Sequence, residues 1–408
     1  MTTQRMQSAF GHGRISALAG RTILQIIPEL DAGGAERTAI DVAAALANVG
    51  ARALVACDGG RLVSELQAKG GVWIRFPAKT KNPLMMALNV QRLKRLIASE
   101  KVDIIHARSR APAWVGYAAA RLTKTPFVTT YHGAYAGGSA FKTEYNSVMA
   151  RGDVVIANSH YTAGQIVRLY PQAQSRVRVI PRGVDFHEFS PRAVDPARIS
   201  RLRQGWGVEA DSRIVLLAAR LTAWKGQRVL VEAAALLYAR GLRDVTFVLA
   251  GDPQGRKSYV REIDALIAAK EVGAIVRRAG HCADMPAAYM AASVVTVPST
   301  APEAFGRVAV EAQAMGTPVI VSELGAVPET VLAPPQAAAS ARTGWRVPAN
   351  DAAALADALS EVLGLGASGQ DALARRARAH VEQNFSLERM TGETLDAYMA
   401  LLEGRARL

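Results

Sequence analysis

One feature constrains the fold more than any other: short apolar runs alternate with longer segments of helical periodicity along most of the chain. Residues 22–28 (TILQIIP) run into Asp31-Ala32-Gly33-Gly34-Ala35-Glu36 and then an alanine-rich helix through Asn48. Apolar runs follow at 52–57, 72–76, 102–106, 126–130 and 154–157, with amphipathic segments at 62–69 and 84–99. A second series lies at 214–218, 245–250, 293–298 and 318–322, with 275–279 (IVRRA) leading into a turn at Gly280. Strand-then-helix order predicts parallel sheets, and so an α/β fold. The opening strand, glycine turn and helix read as the start of a Rossmann-like unit, although the G-x-G-x-x-G fingerprint is absent.

Polar residues 186–210, with Pro191 and Pro196, separate the two series. At 408 residues, half of them hydrophobic, the chain is long enough for two domains that each bury a core. The expected division is a disordered basic tail at 1–20, a first domain at 21–190, a second at 191–386, and a final helix at 387–408. Two distant cysteines, Cys57 and Cys282, offer neither a disulfide framework nor a zinc pattern, which points to a reducing cytosol. No run of 18 apolar residues suggests a membrane-spanning helix. Charge is uneven: residues 1–190 carry 24 basic against 12 acidic side chains, and residues 191–408 carry 25 against 23. Nucleic acid, an anionic membrane surface or an anionic substrate would each answer to that excess. No zinc finger, RNP-like aromatic motif or long basic block supports nucleic acid.

Residues 299–316, STAPEAFGRVAVEAQAMG, follow an apolar run. Glu303, Ala304, Phe305 and Gly306 fall in a loop. From Arg307 the apolar residues Val308, Val310, Ala312 and Met315 take helical spacing, and Gly316 is a stop signal. A helix N-terminus beside a strand end binds anions well. Glu303 and Glu311 flank it; carboxylates repel phosphate, so they suit hydroxyl groups of something attached to it. In the loop after 214–218, Arg220 and Lys225 suit phosphate oxygens, Arg as a fork and Lys as a mobile point charge. Trp224 is placed to support that loop by packing. His106 and His132 both end strands, where open α/β sheets bind ligands.

The spacing Glu303-x7-Glu311 with Phe-Gly inside resembles the motif of retaining nucleotide-sugar glycosyltransferases of GT-B architecture, family 4. Other segments resemble the family too: His132-Gly133, Arg220-x4-Lys225, and Leu324-Gly325-Ala326-Val327-Pro328-Glu329, where Ala326 stands at a usual glycine. In Pro181-Arg182-Gly183-Val184-Asp185, Arg182 replaces the family's usual Asn. The resemblance implies two facing Rossmann-like domains with a C-terminal helix crossing back onto the first. It implies that Gly33 and Gly34 approach the donor phosphate and that His132 hydrogen-bonds the donor sugar. Arg220 and Lys225 would neutralise the diphosphate, while the turn at His281 and Cys282 contacts the base. Glu303 would hold the sugar and Glu311 the ribose, with Ala304, Phe305, Gly306 and Arg307 completing the donor loop. Retention, metal independence, and a donor phosphate oxygen as base are likewise implied. So is a lipid-linked or glycan acceptor in bacterial lipopolysaccharide or other surface glycan assembly. No cofactor is expected. Apart from the resemblance, cysteine usage points to the cytoplasm, and the charge split with Arg75, Lys79, Lys81 and the amphipathic segment 84–99 points to contact of the first domain with the inner membrane face.

Two alternatives stay open on sequence alone. A UDP-sugar epimerase of the same architecture would need base-like carboxylates in the first domain, where only Asp31 and Glu36 are candidates. A nucleic-acid-binding protein is favoured by charge alone.

Overall fold

A computed structural model describes residues 17–31, 33–133 and 139–404. The chain forms two compact units, one ending at Gly183 and rejoined by the segment from Leu387, the other Val184–Ser386.

The first unit is built on a seven-stranded parallel sheet in the order β3-β2-β1-β4-β5-β6-β7. Its strands are β1 (Thr22–Ile26), β2 (Arg52–Cys57), β3 (Val72–Arg75), β4 (Ile104–Ala107), β5 (Phe127–Tyr131), β6 (Val154–Ala157) and β7 (Val177–Val179). Helices α1 (Gly34–Asn48), α2 (Val63–Ala68), α3 (Pro83–Glu100), α4 (Arg110–Thr123), α5 (Ala140–Ser147) and α6 (His160–Leu169) follow in chain order. Side chains alternate across the sheet, so Ile23 enters one core while Leu24 and Ile26 enter the other. Burial on both faces explains why the inner strands read as apolar runs; β7, at the edge and only partly buried, does not.

The second unit carries a six-stranded parallel sheet in the order β10-β9-β8-β11-β12-β13. It comprises α7 (Pro196–Gly205), β8 (Arg213–Ala218), α8 (Gln227–Ala239), β9 (Val245–Ala250), α9 (Lys257–Ala269), β10 (Val276–Gly280) and α10 (Met285–Ala291). Then come β11 (Val294–Val297), α11 (Arg307–Ala314), β12 (Val319–Ser322), α12 (Val327–Thr330), β13 (Trp345–Val347), α13 (Ala352–Leu363) and α14 (Ala367–Asn384). Here too the β8 residues alternate, Val215 and Leu217 to one core and Ile214 and Leu216 to the other.

The final helix, α15 (Leu387–Leu402), belongs to the first unit. Met390, Leu395 and Tyr398 enter that unit's core, and the helix packs on α1.

The chain passes into the second unit at Val184, earlier than the 190/191 boundary read from composition. Val184 and Phe189 are buried in the second core, and Val184 N–H donates to Phe385 O at 2.8 Å. Apolar anchors outweigh the polar character of the stretch. Most of the expected 1–20 tail lies outside the described residues; within it, Leu18 is fully buried in the first core.

Candidate active site

In a parallel sheet, ligands bind beyond strand C-termini where strand order reverses. In the second unit that point lies between β8 and β11, which are paired neighbours. The loop after β8 carries Arg220 to Gly226, and the loop after β11 carries Ser299 to Gly306. The topology therefore brings together two segments far apart in sequence.

They meet closely. Lys225 Nζ lies 2.8 Å from Glu303 Oε1, with both side chains largely shielded from solvent. Ser299 Oγ donates to the same carboxylate oxygen. The Lys225 ammonium also sits 4.3 Å from the centroid of the Trp224 ring. Thr300 N–H donates to Trp224 O at 2.8 Å, tying one loop to the other. Behind them, Glu303 is fixed by a backbone bridge to Gly325, and Ala326 N–H donates to Glu303 O at 2.9 Å. The 3-10 turn Ala223–Lys225 ends in Gly226, whose φ of 77° is left-handed.

Gly306, with φ of 95°, precedes α11 and lacks a side chain to cap it. Its first-turn N–H groups thus have no side-chain cap competing with an anion. Phe305 is buried and packs edge-on against Phe385 at 5.6 Å, which anchors the loop to the core. Glu311 is only 7 % exposed. Its Oε1 accepts from Arg307 Nε at 3.0 Å and Nη2 at 2.6 Å, and its Oε2 accepts from the Tyr289 hydroxyl at 2.8 Å. Burial and the adjacent carboxylate hold the Tyr289 hydroxyl protonated, well above its ordinary range, so it remains a donor. Arg307, read in sequence as part of the donor loop, thus turns its guanidinium onto Glu311.

Arg220 is exposed and reaches Gln254 Oε1 at 3.4 Å. Its carbonyl accepts from the fully buried Gln227 side chain at 3.0 Å, which Tyr259 OH contacts in turn at 3.1 Å. His281 is exposed. The Cys282 thiol points to Asp284 O at 3.6 Å and is pushed up by burial, so it stays protonated. Asp284 caps α10 and receives a two-toothed contact from Arg198, at 2.8 and 2.6 Å. These bonds fix the turn that holds His281.

In the first unit the reversal lies between β1 and β4. Gly33 caps α1 with φ of 176°, extended backbone open to any residue; Ala32 lies outside the described residues. Beyond β4 and β5 stand Arg108 and His132, a pair that the sequence does not join. Arg108 is 2 % exposed, and burial lowers its pKa to about 10. Its Nε donates to Gln25 Oε1 at 2.6 Å, and Gln25 Nε2 donates to Ala39 O at 2.9 Å. Arg108 Nη1 lies 3.5 Å from His132 Nε2, and Arg182 Nη2 lies 3.2 Å from His132 Nδ1. His106 plays a structural part instead. Its ring bonds Tyr398 OH at 2.6 Å and Thr130 Oγ1 at 2.7 Å, docking α15 onto the sheet.

Sequence reasoning misses four partners: Gln25, Arg108, Gln227 and Tyr289. Gln25 does leave a signal, being a polar residue in an apolar stretch, whereas Gln227 sits between Gly226 and Arg228 and leaves none. Arg108 and Tyr289 leave none. Two crevices of about 470 and 810 Å³ open near strand beginnings, one by Arg213 and Pro318, the other by Pro126 and Arg176. Neither is lined by any of these site residues. Among the described residues no group of three His, Cys, Asp or Glu could hold a metal ion.

Residues 32–188 match the model of Glycosyltransferase Family 4, and residues 212–364 that of Glycosyl transferases group 1. A D-inositol 3-phosphate glycosyltransferase of Saccharomonospora viridis is 33 % identical over 326 residues, 74 % of this chain and 72 % of that protein. The structure of a glycosyltransferase from Rickettsia africae superposes with a TM-score of 0.84 at 33 % identity, covering 94 % of this chain and 99 % of the other. Anabaena Alr3699/HepE, solved in complex with UDP-glucose, gives a TM-score of 0.77 at 28 % identity over 92 % of this chain and 99 % of its own. On sequence and on both sheets, the chain belongs to glycosyltransferase family 4, with the GT-B fold, and is a glycosyltransferase.

Proposed function

We propose that the chain transfers a sugar from a nucleoside-diphosphate sugar to a hydroxyl acceptor, with retention at the anomeric carbon. The observation that carries this reading is the Lys225–Glu303 pair, 2.8 Å apart at the head of α11. A cation and a hydroxyl-binding carboxylate side by side suit the junction of a phosphate and a sugar. The UDP-glucose in the Anabaena complex supports the donor class. Arg220, Lys225 and the first turn of α11 stabilise charge on the departing diphosphate, the largest contribution to rate. Glu303 binds the sugar and Glu311 the ribose; His132 hydrogen-bonds the sugar. As the bond from the anomeric carbon to the phosphate oxygen breaks, the acceptor oxygen bonds that carbon and its proton passes to a donor phosphate oxygen. Turnover of UDP-, GDP- and ADP-sugars tests the reading; no turnover of any nucleotide sugar, with or without candidate acceptors, would sink it.

No cofactor enters this scheme, because protein cations and the helix N-terminus supply the positive charge. Initial rates in EDTA are expected to equal those without it. Loss in EDTA that Mg2+ or Mn2+ restores would count against the scheme.

The acceptor we propose is lipid-linked or a glycan, in lipopolysaccharide or other surface glycan assembly, with the first unit against an anionic membrane. No helix among the described residues is long and apolar enough to cross a membrane. What supports peripheral contact is α3. Leu93 is buried, but Leu84 is 78 % and Leu88 is 53 % exposed, so part of the apolar face is not core. Arg92, Lys94 and Arg95 share the helix, and each basic residue near an anionic surface contributes about 1 kcal/mol. Flotation with anionic liposomes should carry the protein at low salt and release it at high salt. Retention in the soluble fraction at low salt would instead favour a soluble anionic acceptor, such as the inositol 3-phosphate in the name of the Saccharomonospora viridis relative.

A further inference from the structure

Arg182 lies just beyond β7, and the structure gives it a specific contact. Its Nη2 donates to the His132 carbonyl at 3.1 Å and lies 3.2 Å from His132 Nδ1. A guanidinium only donates hydrogen bonds. Nδ1 therefore accepts, and the ring proton sits on Nε2. The opposite tautomer would turn an Nδ1 proton onto the nearer guanidinium. On the other side, Nε2 lies 3.5 Å from Arg108 Nη1, at the outer limit of a hydrogen bond. A second ring proton is disfavoured from both sides: burial, Arg182, Arg108 and then His106 all lower the His132 pKa, well below its ordinary value. No carboxylate is among the groups that shift it.

We propose that Arg182, the nearer of the two guanidiniums, fixes His132 as the Nε2–H tautomer against the longer Arg108 contact, that both cations keep the ring neutral, and that Arg182 is a positioning residue for sugar transfer. No acceptor of the Nε2 proton is recorded among the described residues, which leaves that proton available to an incoming oxygen. Arg108 holds its place through Gln25, and Arg182 through the His132 carbonyl, so the ring is gripped from the β1, β4 and β7 sides of the sheet. The part this plays in transfer rests on the reading of His132 given above; the state of the ring does not.

Spectra of the full chain with isotope-labelled histidine separate the two. A His132→Asn variant identifies the ring among the seven histidines. The wild-type ring is expected to stay neutral, as the Nε2–H tautomer, from about pH 8 to pH 5.5, across the range where an ordinary histidine titrates. Arg182→Asn should bring the titration up into that window and mix the tautomers, while Arg182→Lys, which keeps a cation, should restore neutrality but not the single tautomer. Circular dichroism identifies any variant that fails to fold. With a nucleotide sugar that turns over, Arg182→Asn should lose about tenfold in kcat/KM per pH unit below its new pKa, where wild type stays flat. A wild-type ring that titrates near pH 6.5, or Arg182→Asn spectra identical to wild type, overturns the proposal. Absence of turnover with every nucleotide sugar would remove the proposed function and leave the spectra to decide the ring.

Discussion

Lys225→Ala is expected to weaken nucleoside-diphosphate binding by about 10- to 150-fold, the equivalent of about 1.5–3 kcal/mol for a charge-assisted hydrogen bond to phosphate. Turnover falls with it. The ammonium carries three N–H donors, and Glu303 occupies one of them at 2.8 Å. Removing the cation also leaves the Glu303 carboxylate shielded from solvent with Ser299 as its remaining side-chain donor among the described residues, beside the place a phosphate would take. Repulsion then adds to the lost attraction. Glu303→Gln differs in kind. The amide keeps the shape and accepts from Ser299, and Lys225 is freed for phosphate, so nucleotide affinity should hold. Turnover should fall by about tenfold or more, as one directional contact to the sugar is lost. Calorimetry with the nucleoside diphosphate and initial rates separate the two effects. Wild-type turnover in both variants would take the site away from these loops.

Why these two residues can be named from sequence, but not joined, is a matter of topology. Most strands declare themselves by an apolar run, since both faces of each sheet are covered, but the short edge strands β7 (VRV) and β13 (WRV) do not. The runs at 52–57, 154–157 and 245–250 coincide with β2, β6 and β9. Helices α4 and α5 carry no such plain signal: α4 holds Pro112, and α5 is mostly polar. Side-chain type tells which residues suit phosphate and hydroxyl groups. It does not tell that Lys225 and Glu303 pair, because that depends on β8 lying next to β11. The partners of Glu311 are hidden for the same reason. Arg307 is one helical turn away, but Tyr289 arrives from α10. Arg108 looks like an ordinary surface arginine in HARSR; only the fold buries it. Arg182 likewise acquires a meaning only through its contact with His132.

The closeness of the two donor-site loops has a direct mechanical test in Gly226. Its φ of 77° is a conformation that a side chain resists, and a Cβ there would lie 1.8 Å from Pro298 O and 2.6 Å from Pro298 C. Both atoms are backbone, so no rotamer change relieves the clash; one loop must move. Pro298 immediately precedes Ser299, which holds Glu303, and Gly226 immediately follows Lys225. The displacement therefore separates the ion pair as well as straining the unit. Gly226→Ala is expected to cost about 2–5 kcal/mol, from left-handed strain and overpacking together, and to lower turnover more than any substitution that merely destabilises. Gly207→Ala is the control. Its φ of 63° is also left-handed, but a Cβ there meets nothing within 4 Å, so it should cost about 1–2 kcal/mol and spare activity. Urea midpoints at unchanged slope, with rates measured well below the transition, give the comparison. If Gly226→Ala proves no worse than Gly207→Ala on both measures, the loops do not approach as described, and the Lys225–Glu303 contact loses its support.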